Sequence, residues 1–530
     1  MGQPFHAGPF AMPMFRSFVP RLVQPWLYVC VAVTFQLSGG VYLGSLNQMI
    51  GGMALMREDI LMCMYVSLAG MAIYFPMLFR TKFRFTNKTL LTASAAVVLA
   101  CNLAVPHITC LPLLWVVCFV CGMAKIQGTF ECMSNIQLWM TPQRDFTVFF
   151  SWLNMLILCS ILVSDLLAVH FSHHFNWTYM HQFVSGLMLI DLIFFGVCLR
   201  HVRFMRRLPL YGIDWLGAVL WSVFLIELTY LLCYADWLNW WNSVTFSRLA
   251  LATVLTLGLC VWRMFIVRHP YLEPQMWTYR HLLLVFVLLA LTEALLASEY
   301  VLEEVFCEEV MHYAETTGAL IDWPVLAGTV CGCAFAYWWL HTRRYNYLRL
   351  LTIGTAAVGC YLIGFYLMML HHIHVMQLAP TVFFRGFAAG VLCPTFFVCL
   401  HEIMSFQHFF QALSVFNMIH MIVGCTLGCA VYARGLAHLA PDNMARHGWT
   451  IDRVAFGRAP FDFGPFVGEY VEAMIEVSIR QIYGWAAYAC LLLVLLFLLY
   501  KFPVRSTLKR IPYWKQVGRA TRRWLGAAGR

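Results

Sequence analysis

Charge is scarce in this chain. Only 11% of its 530 residues are Asp, Glu, Lys or Arg, against about 25% in soluble domains. That shortage excludes a string of water-covered globular domains. The 61% apolar content excludes disorder as well, because disordered chains are poor in apolar side chains. Zinc spacing is missing too. No CxxC…CxxC pattern occurs, and Cys331 with Cys333 is too sparse for a metal site. Most cysteines, including Cys30, Cys63, Cys101, Cys118, Cys121, Cys159, Cys393 and Cys425, lie inside apolar stretches, where a thiol behaves as a small hydrophobe. Cys307 is placed in a polar loop. No glycine-rich phosphate cradle, HExxH or GxSxG stands in a usable context, so neither cofactor nor metal is expected. The short apolar–polar alternation of a membrane barrel is absent as well.

Long unbroken apolar runs are what the chain does have. A window of about 19 residues gives fourteen candidate membrane helices, at 24–48, 58–79, 89–106, 110–140, 147–170, 179–199, 213–233, 247–267, 281–302, 323–341, 349–370, 380–403, 408–433 and 480–501. The first run is about 25 residues long, beyond the 7–15 of a signal-peptide core, and reads as a span. The longest connection, 434–479, carries Pro441, Pro460 and Pro465 and reads as an exposed loop.

Basic residues alternate with this count. With the amino terminus cytoplasmic, 26 of the 35 Lys and Arg fall on the cytoplasmic side, as the positive-inside rule requires. Both termini are therefore expected inside. The acidic stretch after the ninth span (Glu303, Glu304, Glu308, Glu309, Glu315, Asp322) fits the outer face. The tail from Lys501 has nine basic residues, no acids, and Tyr513, Trp514 and Trp524 interleaved. Anionic lipid headgroups explain it better than nucleic acid. A short repeat, Arg80-Thr81-Lys82-Phe83-Arg84 against His341-Thr342-Arg343-Arg344-Tyr345, follows the second helix of each presumptive six-helix half.

Several motifs add to this layout. Tyr211-Gly212-Ile213-Asp214-Trp215-Leu216-Gly217 opens the seventh span, with Trp240-Trp241 after it. His269-Pro270-Tyr271-Leu272 leaves the eighth. Asn176-Trp177 lies between spans five and six, Arg385-Gly386 and Gly390 in span twelve, and Gly424, Gly428 and Ala430 in span thirteen. Over about residues 24–501 the chain resembles the major facilitator superfamily, and within it the fourteen-span drug:proton antiporter branch. The resemblance implies an all-α polytopic membrane protein of two six-helix halves, 24–199 and 281–501, with two extra central helices in 200–280. A cytoplasmic segment 1–23, an outer loop 434–479 and a basic tail 502–530 complete it. The departures concern mechanism. Ser38 stands in place of the family's first-span aspartate, Cys118 in place of the fourth-span arginine before Gly122, and Ser164-Asp165 in place of the span-five glycine-proline pair. The usual proton-coupling residues therefore do not carry over.

Charge at helix-centre depth costs about 2.5–3.5 kcal/mol on insertion scales. The chain carries seven such residues: Lys125, Glu131, Asp165, Asp191, Glu227, Glu293 and Arg385. By the resemblance, spans one, four, nine and twelve line a central cavity, which makes Lys125, Glu131 and Glu293 the proton-coupling or transport candidates. Lys125 and Glu293 are both near mid-membrane and are expected to pair, either as a breakable couple or as a static packing pair. Asp165 and Arg385, in the outer thirds of their spans, are expected to latch an outer gate. Asp191 and Glu227 fall on peripheral helices. The outer His170, His173 and His174, spaced i, i+3, i+4, read as solvated or pH-sensing more readily than as metal ligands.

The implied function is secondary active transport, proton-coupled export of amphipathic or hydrophobic compounds by alternating access in the inner membrane. The alternatives are a carrier of another small solute without proton antiport and, more remotely, a membrane enzyme. Glu58-Asp59 resembles a glycosyltransferase acidic pair, but its loop is too short for a sugar-donor site. The expected partners are a small-molecule substrate, protons and the bilayer. The resemblance adds a periplasmic adaptor and an outer-membrane channel.

Overall fold

The computed structural model describes residues 14–140, 146–202, 212–279, 281–342, 347–369, 373–448 and 463–499. Among these residues the backbone is helical, apart from turns and one antiparallel bridge between Phe15 and Leu199. The main helices are α1 (Gln24–Leu37), α2 (Arg57–Tyr74), α3 (Asn87–Ala104), α4 (Leu111–Met140), α5 (Phe146–His174), α6 (Thr178–Cys198) and α7 (Trp215–Cys233). They continue as α8 (Val244–Ile266), α9 (Leu282–Leu296), α10 (Asp322–Thr342), α11 (Tyr347–Met368) and α12 (Ala379–Ile403). The helix α13 is Phe406–Met418, continued through a π-helical turn at Ile419–Val423 into Gly424–Gly448, and α14 is Phe463–Leu499.

Among the described residues, thirteen helices are long and apolar enough to cross a membrane. The first apolar run is missing from that count because α1 stops after 14 residues, roughly 21 Å at 1.5 Å per residue. The chain then runs extended at Ser38 and resumes helix at Leu46–Met53. The crossing is therefore made by a broken helix. Its large exposed side chains, like Trp262, Phe265 and Leu499 on other spans, face where lipid would lie, so the chain is a multi-pass membrane protein.

Two expectations about loops change. Residues 434–448 and 463–479, read as loop, are helical, and the rest of that segment, like the basic tail, lies outside the described residues. The acidic stretch after span nine is not a free loop either. It folds as short helical turns at Leu302–Val305 and Phe306–Val310, which bury Glu303 and Cys307. Backbone polar groups entering lipid depth must bond internally, and helical turns satisfy them where a loop would not.

Capping fixes several helix starts. The Asp59 carboxylate accepts from the Met56 amide at 3.0 Å, and Asp214 accepts from the Gly217 amide at 3.0 Å. Asp59 does a second job, accepting from the Tyr234 hydroxyl. That bond ties α7 of the extra pair to α2, which gives Asp59 a structural role. The extra helices are joined to each other by Arg263, whose guanidinium lies 2.6 Å from Asp214.

Within each half, one helix pair is pressed together through glycine. A Cβ on Gly122 of α4 would come within 2.0 Å of the Ser67 carbonyl oxygen of α2, and one on Gly386 of α12 within 2.1 Å of the Val325 oxygen of α10. Without a hydrophobic drive between helices in lipid, such small-residue contacts supply the packing. Gly386→Val is expected to force α10 and α12 apart, at a cost of about 1–3 kcal/mol or more. Gly359→Ala, where the added Cβ meets only the Cys490 sulfur at 3.5 Å, is expected to be neutral or slightly stabilising. Thermal unfolding of the two purified variants separates close packing from a general intolerance of larger residues.

The halves meet along α5 against α10 and α12, and along α2 against α13. One end of this seam is aromatic, with Phe79 on Phe410 at 4.0 Å and Phe150 stacked on Phe397 at 5.3 Å. The opposite end, called the far end below, is polar.

Candidate functional site

The first helix of each half is interrupted at a matching depth. Helix α1 ends after 14 residues and α9 after 15, the latter passing into a 3-10 turn at Ala297–Tyr300. A pair of interrupted hydrophobic segments in corresponding positions of two halves is the best sequence-level pointer to a transporter binding site.

The α1 break is a built feature whose freed carbonyls have donors. Ser38 Oγ donates to Phe35 O at 2.6 Å, Lys125 Nζ to Gln36 O at 3.0 Å, and Ser164 Oγ to Leu37 O at 3.2 Å. Unmet carbonyls at a helix end are costly at this depth. Gly40 lies against α4, where a Cβ would be 2.7 Å from Cys118 Sγ. Gly44 lies against α5, where a Cβ would be 2.5 Å from the Asp165 backbone oxygen. Ser38, Cys118, Ser164 and Asp165, scattered over 127 residues of sequence, thus meet around one interruption.

The second half gathers titratable groups. Glu293 lies in the last turn of α9, and its Oε1 is 2.8 Å from His420 Nδ1. The imidazole is carried on the π-helical turn of α13, a distortion frequent at functional sites. Its other nitrogen, Nε2, is 3.8 Å from Cys393 Sγ, and that thiol donates to Asn154 Oδ1 of α5 at 3.2 Å. The chain of contacts runs from α9 through α13 and α12 into the other half. Gly424 permits it, since a Cβ there would be 2.5 Å from Glu293 Cβ. Both side chains keep accessible surface, 19% for His420 and 14% for Glu293, while the His420 Nδ1 at the contact is itself buried.

The pairings expected from sequence do not form. Lys125 bonds a carbonyl and Glu293 meets His420, so the Lys125–Glu293 pair is replaced on both sides. Residue counting placed both at mid-depth but gave no azimuth, and the break in α1 offered Lys125 a nearer acceptor. Glu131 is fully buried and lies 3.4 Å from Lys82, a pair closing the aromatic end of the first half and away from water. Asp165 does not meet Arg385. Arg385 is held by Glu299 at 3.0 Å and Glu303 at 2.7 Å, because the acidic stretch folds back over α12. Tyr361 donates to Glu303 at 3.0 Å and Ser298 to the Tyr361 oxygen at 3.2 Å. Asp191, expected at the periphery, accepts from Thr34 of α1.

The polar end of the seam is closed by other residues. Arg57, opening α2, pairs with Glu304 beyond α9. Asn47 donates to Glu308 at 3.3 Å and Gln48 to Glu315 at 3.4 Å. His420 was missed because a charge count with neutral histidine passes over it. The signal was there, as an imidazole in the middle of the thirteenth apolar run. At the far end of α5 the His170 and His174 rings lie 4.5 Å apart. No group of three or more metal-ligating side chains gathers among the described residues.

Solved structures share this architecture. The nucleoside transporter NupG superposes with a TM-score of 0.55 at 11% identity, covering 89% of this chain and 98% of that one. A peptide transporter POT in complex with alafosfalin gives 0.58 at 14% identity, with 91% and 95% covered. An auto-inhibited POT family peptide transporter gives 0.52 at 14%, with 88% and 97% covered. At these identities the likeness establishes the fold, which is that of the major facilitator transporters with two extra helices between the halves. No protein-family model matches the sequence, and no curated protein matches it.

Proposed function

We propose that the protein is a secondary carrier that works by alternating access and couples to protons at Glu293 and His420. One observation carries this reading: the partly accessible Glu293–His420 couple, 2.8 Å apart beside the α9 break. An imidazole changes charge near physiological pH, and a carboxylate at 2.8 Å gives the gained proton a partner. The Cys393–Asn154 contact gives that change a path to the other half. No enzymatic machinery is part of the reading. Export of amphipathic or hydrophobic compounds, of the multidrug type, is its finer form. It draws on the fourteen-span layout and on the partners that layout implies, an adaptor and an outer-membrane channel. The 26 of 35 basic residues assigned to one side support an inner-membrane orientation with both ends cytoplasmic.

Everted vesicles can test the coupling, with ethidium and 8-anilinonaphthalene-1-sulfonate as probes of opposite charge. Glu293→Gln is expected to lower proton-gradient-driven movement of the transported probe by an order of magnitude or more. Probe-for-probe exchange, which needs no net proton movement, is expected to survive. Gradient-driven transport at the unsubstituted rate removes Glu293 from the mechanism.

A further inference from the structure

Lys125 is the fifteenth of the thirty residues of α4, which puts its charge at the midpoint of a span. Three other cations have a carboxylate beside them: Lys82 has Glu131, Arg263 has Asp214, and Arg385 has Glu299 and Glu303. Lys125 has none within ion-pair distance among the described residues. Its one bond is to the Gln36 carbonyl at the α1 break, and a carbonyl orients an ammonium without neutralising it. The side chain is not sealed off, since it retains intermediate exposure on a helix that faces α1.

Counting along the fourth helix of the second half adds a contrast. Cys393 is the fifteenth residue of α12 as Lys125 is of α4. The two fourth helices of the halves thus present a cation on one side and a neutral thiol on the other. The acidic member, Glu293, belongs to the second half and is already engaged by His420. At the break the first half holds, in Lys125, a positive charge with no carboxylate within ion-pair distance among the described residues.

We infer that Lys125 binds the anionic group of the transported solute, which makes the substrate class amphipathic organic anions. This rests on the carrier reading above, but it is tested by binding rather than transport, so the two fail separately. An ion at helix-centre depth costs several kcal/mol unless paired, and a carboxylate or sulfonate on the solute supplies the missing partner. The Gln36 carbonyl holds the ammonium at the break while the site is empty. The acceptor Gln36 is itself fixed, its side chain donating to Thr129 Oγ1 at 2.9 Å.

Three ligands with one apolar body separate charge from hydrophobicity: 2-naphthoate, 2-naphthamide and 2-naphthylmethylammonium. Binding is measured on the full-length protein in phosphatidylcholine nanodiscs, where the lipid adds no net negative charge. The anion is expected to bind at least tenfold more tightly than the amide and the cation. Lys125→Gln is expected to weaken the anion at least tenfold and leave the amide unchanged. Lys125→Arg, which keeps the charge, is expected to stay within a few-fold of the unsubstituted protein. The amide also serves as a folding control, since its unchanged binding shows that Lys125→Gln has kept the fold around the site. Equal binding of the anion to Lys125→Gln overturns the assignment. So does preference for the cation, or no binding of the anion to the unsubstituted protein.

Discussion

Arg385→Met is expected to be among the most destabilising single substitutions in the chain, lowering stability by about 3–5 kcal/mol, the usual cost of removing one partner from a buried charged cluster. The guanidinium lies 3.0 Å from Glu299 and 2.7 Å from Glu303, and the arginine side chain is 9% exposed. Once it is gone, two carboxylates on successive turns are left without their shared cation, and among the described residues Glu303 keeps the Tyr361 hydroxyl as donor. Glu299 keeps access to water, so most of the cost falls on Glu303. A lysine does not repair the site, because one ammonium cannot span two carboxylates as the planar guanidinium does. Adding Glu303→Gln to Arg385→Met is expected to recover part of the loss, and a double-substitution cycle measures the coupling. Thermal unfolding in detergent provides the readout. A midpoint for Arg385→Met equal to that of the unsubstituted protein would show that the cluster carries no structural weight.

The apolar runs made the helix count legible because their lengths match the thickness of a bilayer. Arg385 itself was legible as a buried charge, but its partners were not. Glu299 and Glu303 lie where the sequence reads as an acidic outer loop, and only the folded turn brings them over α12. Glu293 was likewise visible, while its partner was hidden in the convention that counts histidine as neutral. Azimuth is what the sequence withheld throughout. A one-residue shift turns a helix by 100°, and span limits good to a few residues cannot say which neighbour a side chain meets. The α1 break was signalled by Ser38-Gly39-Gly40, a weak helix segment. A window of about 19 residues averages over such a short flaw. The departures from the drug:proton antiporter pattern were read one by one as losses. In three dimensions Ser38, Cys118, Ser164 and Asp165 surround that break and make a single structural unit.

Arg57→Glu is expected to part the halves at the far end. The native contacts there are one ion pair with Glu304 and two amide–carboxylate hydrogen bonds, from Asn47 to Glu308 and from Gln48 to Glu315. Arg57 is 37% exposed, so water and salt screen the pair, and it contributes about 0–1 kcal/mol. Weak ties suit a closure that must open in every transport cycle. Charge reversal does more than remove the tie, because the new carboxylate meets Glu304 directly and adds repulsion. A combined change of about 1–3 kcal/mol moves a two-state ratio by roughly five- to 150-fold. Spin labels on Gly51→Cys and His312→Cys report the separation, Gly51 having open space around it and His312 being 65% exposed. The exposed Cys30, Cys110, Cys331 and Cys360 are first replaced by serine. Arg57→Glu is expected to move most of the distance distribution to longer values, and adding Glu304→Arg to restore the short one. An unchanged distribution, or a swap that restores nothing, would show that the far end is held shut by packing and that Arg57 and Glu304 merely meet at its surface.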